Sequence, residues 1–269
     1  MQLSAISRVS GLYQIRLTAL SERSREMISI IDWRMAQCAR VGVKFDFNTW
    51  ADAETVLAQE PDVVIVATGG LPHTEILNRG NELVVSTWDI ISGDVKHGKN
   101  VLIFDDAGDH AALQAAEVIA NSGATLEIVT PDRSFSPEVM AMNLVPYMRS
   151  LQDLAVTFTV TYRVDSVEQR DGKLIAHFGS DYGRVNKHRV VDQVVINHGT
   201  LPLDDLYFDL RPHSSNNGAV EQHNLIAGNV QNIVTNPDGR FQLFRIGDAV
   251  SARNTHAAIY DALRLLKDI

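Results

Sequence analysis

The sequence predicts an α/β protein of two related domains, each with a parallel sheet, and with β-hairpins inserted in one stretch. Three observations carry that class. Apolar strand-like runs alternate with helical periodicity. The stretch from 156 to 196 is β-rich. A strand–glycine segment also occurs twice: Asp62-Val-Val-Ile-Val-Ala-Thr-Gly-Gly-Leu-Pro72 can be laid on Asp192-Gln-Val-Val-Ile-Asn-His-Gly-Thr-Leu-Pro202. The aspartate, one valine, a glycine, the leucine and the proline coincide at equal offsets. Apolar strands ending in glycine are common in α/β proteins, but strand chemistry does not require the shared Leu-Pro, which favours a duplicated domain.

The elements follow in order. Ser21-Glu-Arg-Ser24 suits a helix start, and Met27, Ile30, Ile31, Met35 and Cys38 keep helical spacing up to Val41-Gly42. Val43-Lys-Phe-Asp-Phe-Asn48 alternates strictly, as a strand with one wet face does. A short helix over 53–59 is punctuated by Pro61. The run 62–67 is continuously apolar, as expected of a parallel strand buried on both faces. After His97-Gly-Lys-Asn100 come a strand over 101–104, a turn over 105–109 and a helix over 110–121 closed by Ser122-Gly123. A strand over 126–129 and a helix over 137–152 precede strands at 156–160, 164–169, 174–178 and 190–196. The tail offers a strand over 241–246, a Gly247-Asp248 turn and a helix over 255–267. Trp33, Trp50 and Trp88 are expected to be packing residues.

Composition excludes several function classes. A chain of 269 residues is roughly twice a ~150-residue domain. With 45% hydrophobic and 21% charged residues it has globular rather than disordered composition. The net charge of −9 argues against nucleic acid as a partner, because duplex affinity rests on neutralising phosphates. No apolar run approaches the ~18 residues that span a membrane. The single Cys38 excludes an internal disulfide, a cysteine-based zinc site and a four-thiolate cluster held by this chain alone. Met1–Ser10 carries no secretory pattern, so a cytoplasmic location is expected.

Two turns are candidate ligand contacts. Thr68, Gly69 and Gly70 end a strand at its carboxyl edge, where α/β sheets place ligands and glycine lets the backbone approach closely; a plain tight turn is the alternative. Gly247 and Asp248 lead into the last helix. There a carboxylate can accept a ribityl or ribose hydroxyl, and helix N–H groups suit a pyrophosphate; a turn satisfied by its own backbone is the alternative. The turn Asp105-Asp-Ala-Gly-Asp-His110 stands where strand, G-x-G-x-x-G and helix would mark a dinucleotide site. Only Gly108 remains, and like charges at about 4 Å cost roughly 1–4 kcal/mol each. Weak or no NAD binding is therefore expected there, with a solvated turn favoured over a metal bridging the acids. No catalytic constellation and no metal-ligand set is read, and His110, His198 and His256 are taken as structural.

These residues, together with Gln14-Ile-Arg-Leu-Thr-Ala19, Ile31-Asp-Trp-Arg34, Ser86-Thr-Trp-Asp-Ile90 and Ile246-Gly-Asp-Ala249, resemble the carboxyl-terminal part of the NADH:flavin oxidoreductase family. That family is typified by trimethylamine dehydrogenase and 2,4-dienoyl-CoA reductase, and the match is nearest to its dimethylglycine and N-methylproline demethylases. The resemblance implies two Rossmann-like domains of the FAD- and NAD(P)-binding type: residues 1–95 with 241–269, N-terminally truncated, and a degenerate NAD(P)-type domain over 96–240. It implies FAD or ADP at Thr68, Gly69, Gly70, Gly247 and Asp248 in an incomplete site. NAD(P) is not expected, and FMN and an iron–sulfur cluster belong to an N-terminal barrel region absent here.

Met1–Gly11 lacks the family's first fingerprint, and Ser10-Gly-Leu-Tyr13 replaces its usual Pro-Gly-Gly. The function implied is nucleotide binding and electron-transfer scaffolding in a flavin-dependent amine demethylase, this chain alone not being competent for the substrate chemistry. The alternative is a non-catalytic nucleotide-binding or interaction subunit completed by a barrel-containing chain. An exposed edge of the first sheet invites self-association.

Overall fold

The computed structural model describes residues 4–7 and 13–267. The readings on Met1–Gly11 and Ser10–Tyr13 lie outside the described residues except for 4–7 and Tyr13 itself. Strand β1 (Ser4–Ser7), helix α1 (Tyr13–Thr18), a 3-10 turn over Glu22–Met27 and helix α2 (Ile28–Arg40) lead to strand β2 (Lys44–Phe47), which pairs in parallel with β1. The helix expected from Ser21 onward is therefore split. The Ser21 side chain makes no capping bond, and regular α-helix begins only at Ile28. Trp33 and Trp50 are 62% and 70% exposed, so the packing role expected of them falls to Trp88 alone, which lies against a core.

Helix α3 (Ala53–Leu57) is capped by Asp52, whose carboxylate accepts from Thr55 N at 2.8 Å. Strands β3 (Val63–Val66), β4 (Gly70–Pro72) and β5 (Val85–Ser86) follow. Helix α4 (Thr87–Ser92) opens with a capping box between Ser86 and Asp89. Strand and helix then alternate through β6 (Asn100–Asp105), α5 (His110–Asn121), β7 (Thr125–Thr130), α6 (Ala141–Asp153) and β8 (Thr157–Val160). Helix α6 starts later than the sequence suggests, because Ser136 takes a φ of 47° and Met140 a ψ of 142°, both outside the helical region.

The hairpins are β9 (Arg163–Arg170), β10 (Lys173–Gly179) and β11 (Lys187–Val191), followed by β12 (Gln193–Asn197). The single strand expected over 190–196 is thus two strands in different sheets. They part at Asp192, whose carboxylate accepts from Asn100 N at 2.9 Å and pairs with Lys173. Beyond lie β13 (Thr200–Pro202), α7 (Asp205–Leu210), α8 (Gln222–Ala227), β14 (Gln242–Arg245) and α9 (Thr255–Leu265). Neither α7 nor α8 was visible in the sequence pattern. Helix α8 is capped by Glu221, which accepts from the amides of His223 and Asn224, and glutamate is not a usual start signal.

Contacts group the chain into two units. One comprises Met1–Tyr13, Ser29–Leu71 and Thr200–Ile269; the other comprises Gln14–Ile28 and Pro72–Gly199. Their changeovers at 71/72 and 199/200 differ from the 95/96 and 240/241 boundaries drawn from the resemblance. In the second unit the sheet β5-β12-β6-β7-β8 is parallel throughout, and β11-β10-β9 is antiparallel. Alternate residues of β6 serve two cores: Val101 and Ile103 pack with Leu113, Ile119 and Leu151 of the helices, while Leu102 and Phe104 pack with Val164, Leu174 and Phe178 of the antiparallel sheet. Each such side chain withdrawn from water is worth roughly 1.5–3 kcal/mol. The expected α/β class with a parallel sheet and inserted hairpins is what forms.

In the first unit β3 pairs in parallel with β14, and their apolar residues pack with Tyr207, Leu210 and Phe241. Of β3 only Val66 is buried. The burial on both faces expected of 62–67 is not realised, because among the described residues β14 is its one strand partner. The other side of β14 is satisfied by a side chain. Asn216, 1% exposed, donates to Leu243 O and accepts from Leu243 N, both at 2.9 Å, and also donates to Ala219 O at 2.9 Å. Asn216→Ala would strand both peptide groups of Leu243, each costing about 1–3 kcal/mol. A loss of roughly 2–4 kcal/mol in urea unfolding is expected.

The repeated segment is repeated in three dimensions. Strands β3 and β4 occupy one copy, β12 and β13 the other. Gly69 and Gly199 take matching left-handed φ values of 75° and 84°. In the first unit Leu203 N donates to Gly69 O at 2.9 Å, and in the second His73 N donates to Gly199 O at 3.0 Å. Both bonds join a glycine to the residue just past the proline of the other copy.

Candidate nucleotide site

Strands β3 and β14 are parallel neighbours with Val66 opposite Arg245, so both carboxyl ends meet at one edge of the first unit. Ile246 N donates to Val66 O at 3.0 Å and continues that pairing. Thr68, Gly69 and Gly70 leave one strand there, and Gly247 and Asp248 leave the other. The five residues singled out in the sequence are thereby brought to the edge where parallel sheets receive ligands.

Thr200, which the sequence reading missed, links the two turns. A Cβ placed on Gly70 would lie 2.9 Å from Thr200 Oγ1 and 2.6 Å from Leu201 O, so this close approach needs glycine. Thr200 Oγ1 in turn donates to Asp248 Oδ2 at 3.3 Å. Asp248 Oδ1 accepts from Arg253 N at 3.2 Å, and the residue is only 8% exposed. The Thr68 hydroxyl donates to Leu203 O. Gly69 has open space around it. Thr200 could have been found from the repeat, since it is the residue that aligns with Gly70.

The turn between β6 and α5 has a different character. Sheet order places it at the switch point between β6 and β12, the edge where a dinucleotide would lie. Asp109 Oδ1 accepts from Ala111 N at 2.9 Å and caps α5, so a carboxylate of the chain itself occupies the helix N-terminus. Asp106 pairs with His198, whose ring meets His73 edge-on at 5.0 Å.

Asp105 is fully buried, which corrects the expectation of a solvated turn. Its Oδ1 accepts from Gly108 N at 2.9 Å and from Asn197 Nδ2 at 2.8 Å, and that same amide donates to Asp109 at 2.9 Å. Asp105 Oδ2 has no hydrogen-bond partner among the described residues. Burial pushes the Asp105 carboxyl up to about 7; the two donors oppose the shift, and Asp109 and Asp132 add to it. His110, an exposed residue whose ring lies 6.0 Å from that of Tyr147, has its pKa lowered by partial desolvation, which Asp109 opposes. Among the described residues, no set of three His, Cys, Asp or Glu side chains converges to hold a metal.

No family model matches the chain. It is 72% identical over 256 residues to a probable N-methylproline demethylase of Rhizobium meliloti (strain 1021), covering 95% of this chain and 38% of that protein. It is 39% identical over 275 residues to the N,N-dimethylglycine/sarcosine dehydrogenase of Chromohalobacter salexigens, covering 98% of this chain and 39% of that protein. Among solved structures, histamine dehydrogenase from Rhizobium sp. 4-9 superposes with a TM-score of 0.76 at 20% identity, covering 97% of this chain and 39% of that one. That likeness speaks for the fold. The chain spans about two fifths of the length of the curated relatives it matches.

Proposed function

The chain is homologous over nearly its whole length to one stretch of the flavin-dependent N-methyl amine demethylases, and we propose that it is their carboxyl-terminal part, supplying nucleotide binding and an electron-transfer scaffold rather than the substrate chemistry. The observation that carries this reading is the single edge in the first unit at which Thr68, Gly69, Gly70, Gly247 and Asp248 converge. Gly69, with open space where a side chain would stand, admits a nucleotide against bare backbone, Gly70 lets Thr200 close in behind it, and the Asp248 carboxylate accepts a ribose or ribityl hydroxyl in a charge-assisted bond. FAD bound there would supply reversible electron acceptance, whereas ADP would supply binding energy alone. In the domain terms of the resemblance, 1–95 with 241–269 is the FAD- or ADP-type domain and 96–240 the NAD(P)-type one.

The second unit does not bind NAD(P) in this reading, because Asp109 fills the α5 N-terminus and Asp106 lies beside it. Purified chain titrated with ADP, FAD and NADH in a calorimeter, with its absorption spectrum recorded, tests the proposal. Weak binding of ADP or FAD is expected. NADH bound more tightly than about 10 µM, near −7 kcal/mol, would overturn the assignment of the second unit. Absence of any ADP or FAD binding would overturn that of the first.

A second reading is favoured by the edge of β3 that pairs with no strand among the described residues: a subunit completed by a separate barrel-containing chain, or by self-association along that edge. Size-exclusion chromatography of the chain alone and with such a partner distinguishes the two. No helix among the described residues is long and apolar enough to cross a membrane, and a cytoplasmic location fits the proposed role.

A further inference from the structure

The Gly247–Asp248 turn is held by an ion pair that nothing in its own short motif announces. Gly247 has a left-handed φ of 63°. Its N–H donates to Asp261 Oδ2 at 3.0 Å, and its carbonyl accepts from the Arg253 guanidinium at 3.3 Å. Arg253 and Asp261 are themselves paired through the two terminal guanidinium nitrogens, Nη1 at 3.2 Å to Asp261 Oδ1 and Nη2 to Oδ2. Arg253 lies in the segment before α9 and Asp261 within it. One fork-to-fork pair therefore grips both polar groups of a single glycine, and a planar guanidinium fixes direction as well as distance. The backbone N–H of the same Arg253 donates to Asp248 Oδ1. The carboxylate is thus aimed from two sides, by Arg253 and by Thr200.

We propose that Arg253 and Asp261 are positioning residues for the nucleotide site, setting the direction of the Asp248 carboxylate through the Gly247 peptide. This rests on the reading that the edge binds an adenine nucleotide. Without the pair, Gly247 is free to leave its left-handed conformation, and Asp248 loses its orientation while the fold of β14 and α9 stays in place. An interaction of this kind changes affinity only through Asp248, so its removal should have no further effect once Asp248 is gone.

The test is a double-mutant cycle read by ADP calorimetry on the full chain, using Asp261→Ala, Asp248→Ala and the double variant, with Asp261→Asn alongside. Asp261→Asn keeps an acceptor for the Gly247 N–H and carries the test if circular dichroism shows the alanine variant unfolded. The expected result is about a tenfold weaker Kd for Asp261→Ala, about threefold for Asp261→Asn, and no further loss when Asp248 is already alanine. Unchanged affinity in both Asp261 variants, or fully additive losses, would overturn the positioning role while leaving the nucleotide site standing. Wild-type chain that binds neither ADP nor FAD overturns the site itself, and the positioning role with it.

Discussion

Asp105→Asn is expected to stabilise the chain by about 2–4 kcal/mol at pH 8 and to leave it nearly unchanged near pH 4. Asp105 is fully buried at the end of β6, and burial raises its carboxyl from 3.8 to about 7. Between those values the folded chain holds a proton that the unfolded chain has released. The stability contributed by the protonated group is therefore complete below the unfolded value and is lost as pH rises towards 7. Asparagine mimics the neutral acid at every pH: one oxygen still accepts from Gly108 and Asn197, and the amide takes the place of the unpartnered Oδ2. Urea unfolding from pH 4 to pH 8 reads the effect. A wild-type chain equally stable across that range, or a variant weaker than wild type at pH 8, would contradict the buried-carboxyl account.

Gly70→Ala is the second large effect. Its Cβ would meet the Leu201 carbonyl at 2.6 Å and the Thr200 side chain at 2.9 Å, and a backbone carbonyl cannot rotate aside. Overpacking of this kind costs about 1–3 kcal/mol. Displacing Thr200 also breaks its bond to Asp248, so ADP affinity should fall with stability. Gly69→Ala meets nothing within 4 Å but must hold a φ of 75°, which costs about 1–2 kcal/mol of stability without moving Thr200. Thr200→Val is the control for binding, because it keeps the shape of the side chain and removes only the hydroxyl that donates to Asp248. ADP affinity equal to wild type in Thr200→Val would show that the Thr200 contact plays no part in binding.

Much of the fold was legible because periodicity and punctuation agreed. Helix α5 over His110–Asn121 has the expected bounds, set by Asp109 at its start and Ser122-Gly123 at its end. The repeat around Gly69 and Gly199 was legible as well, since left-handed turns restrict the residue that can fill them. What escaped reading was set by tertiary partners. The break at Asp192 follows from bonds to Asn100 and Lys173, the exposure of Trp33 follows from which face of α2 finds neighbours, and Trp50 is exposed in the loop between β2 and α3. In the site, the two turns were each visible. Thr200, Arg253 and Asp261 were not, because their roles come from contacts to Asp248 and Gly247 rather than from any local pattern.

The most direct test of the central claim is an amide chemical-shift map of the full chain titrated with ADP and, separately, with NADH. Shifts gathered at Gly69, Gly70, Gly247 and Asp248 are expected with ADP, and none at Gly108–Ala112 with either ligand. Shifts centred on Gly108–Ala112, or an ADP titration that leaves Gly69, Gly70 and Gly247 unmoved, would contradict it.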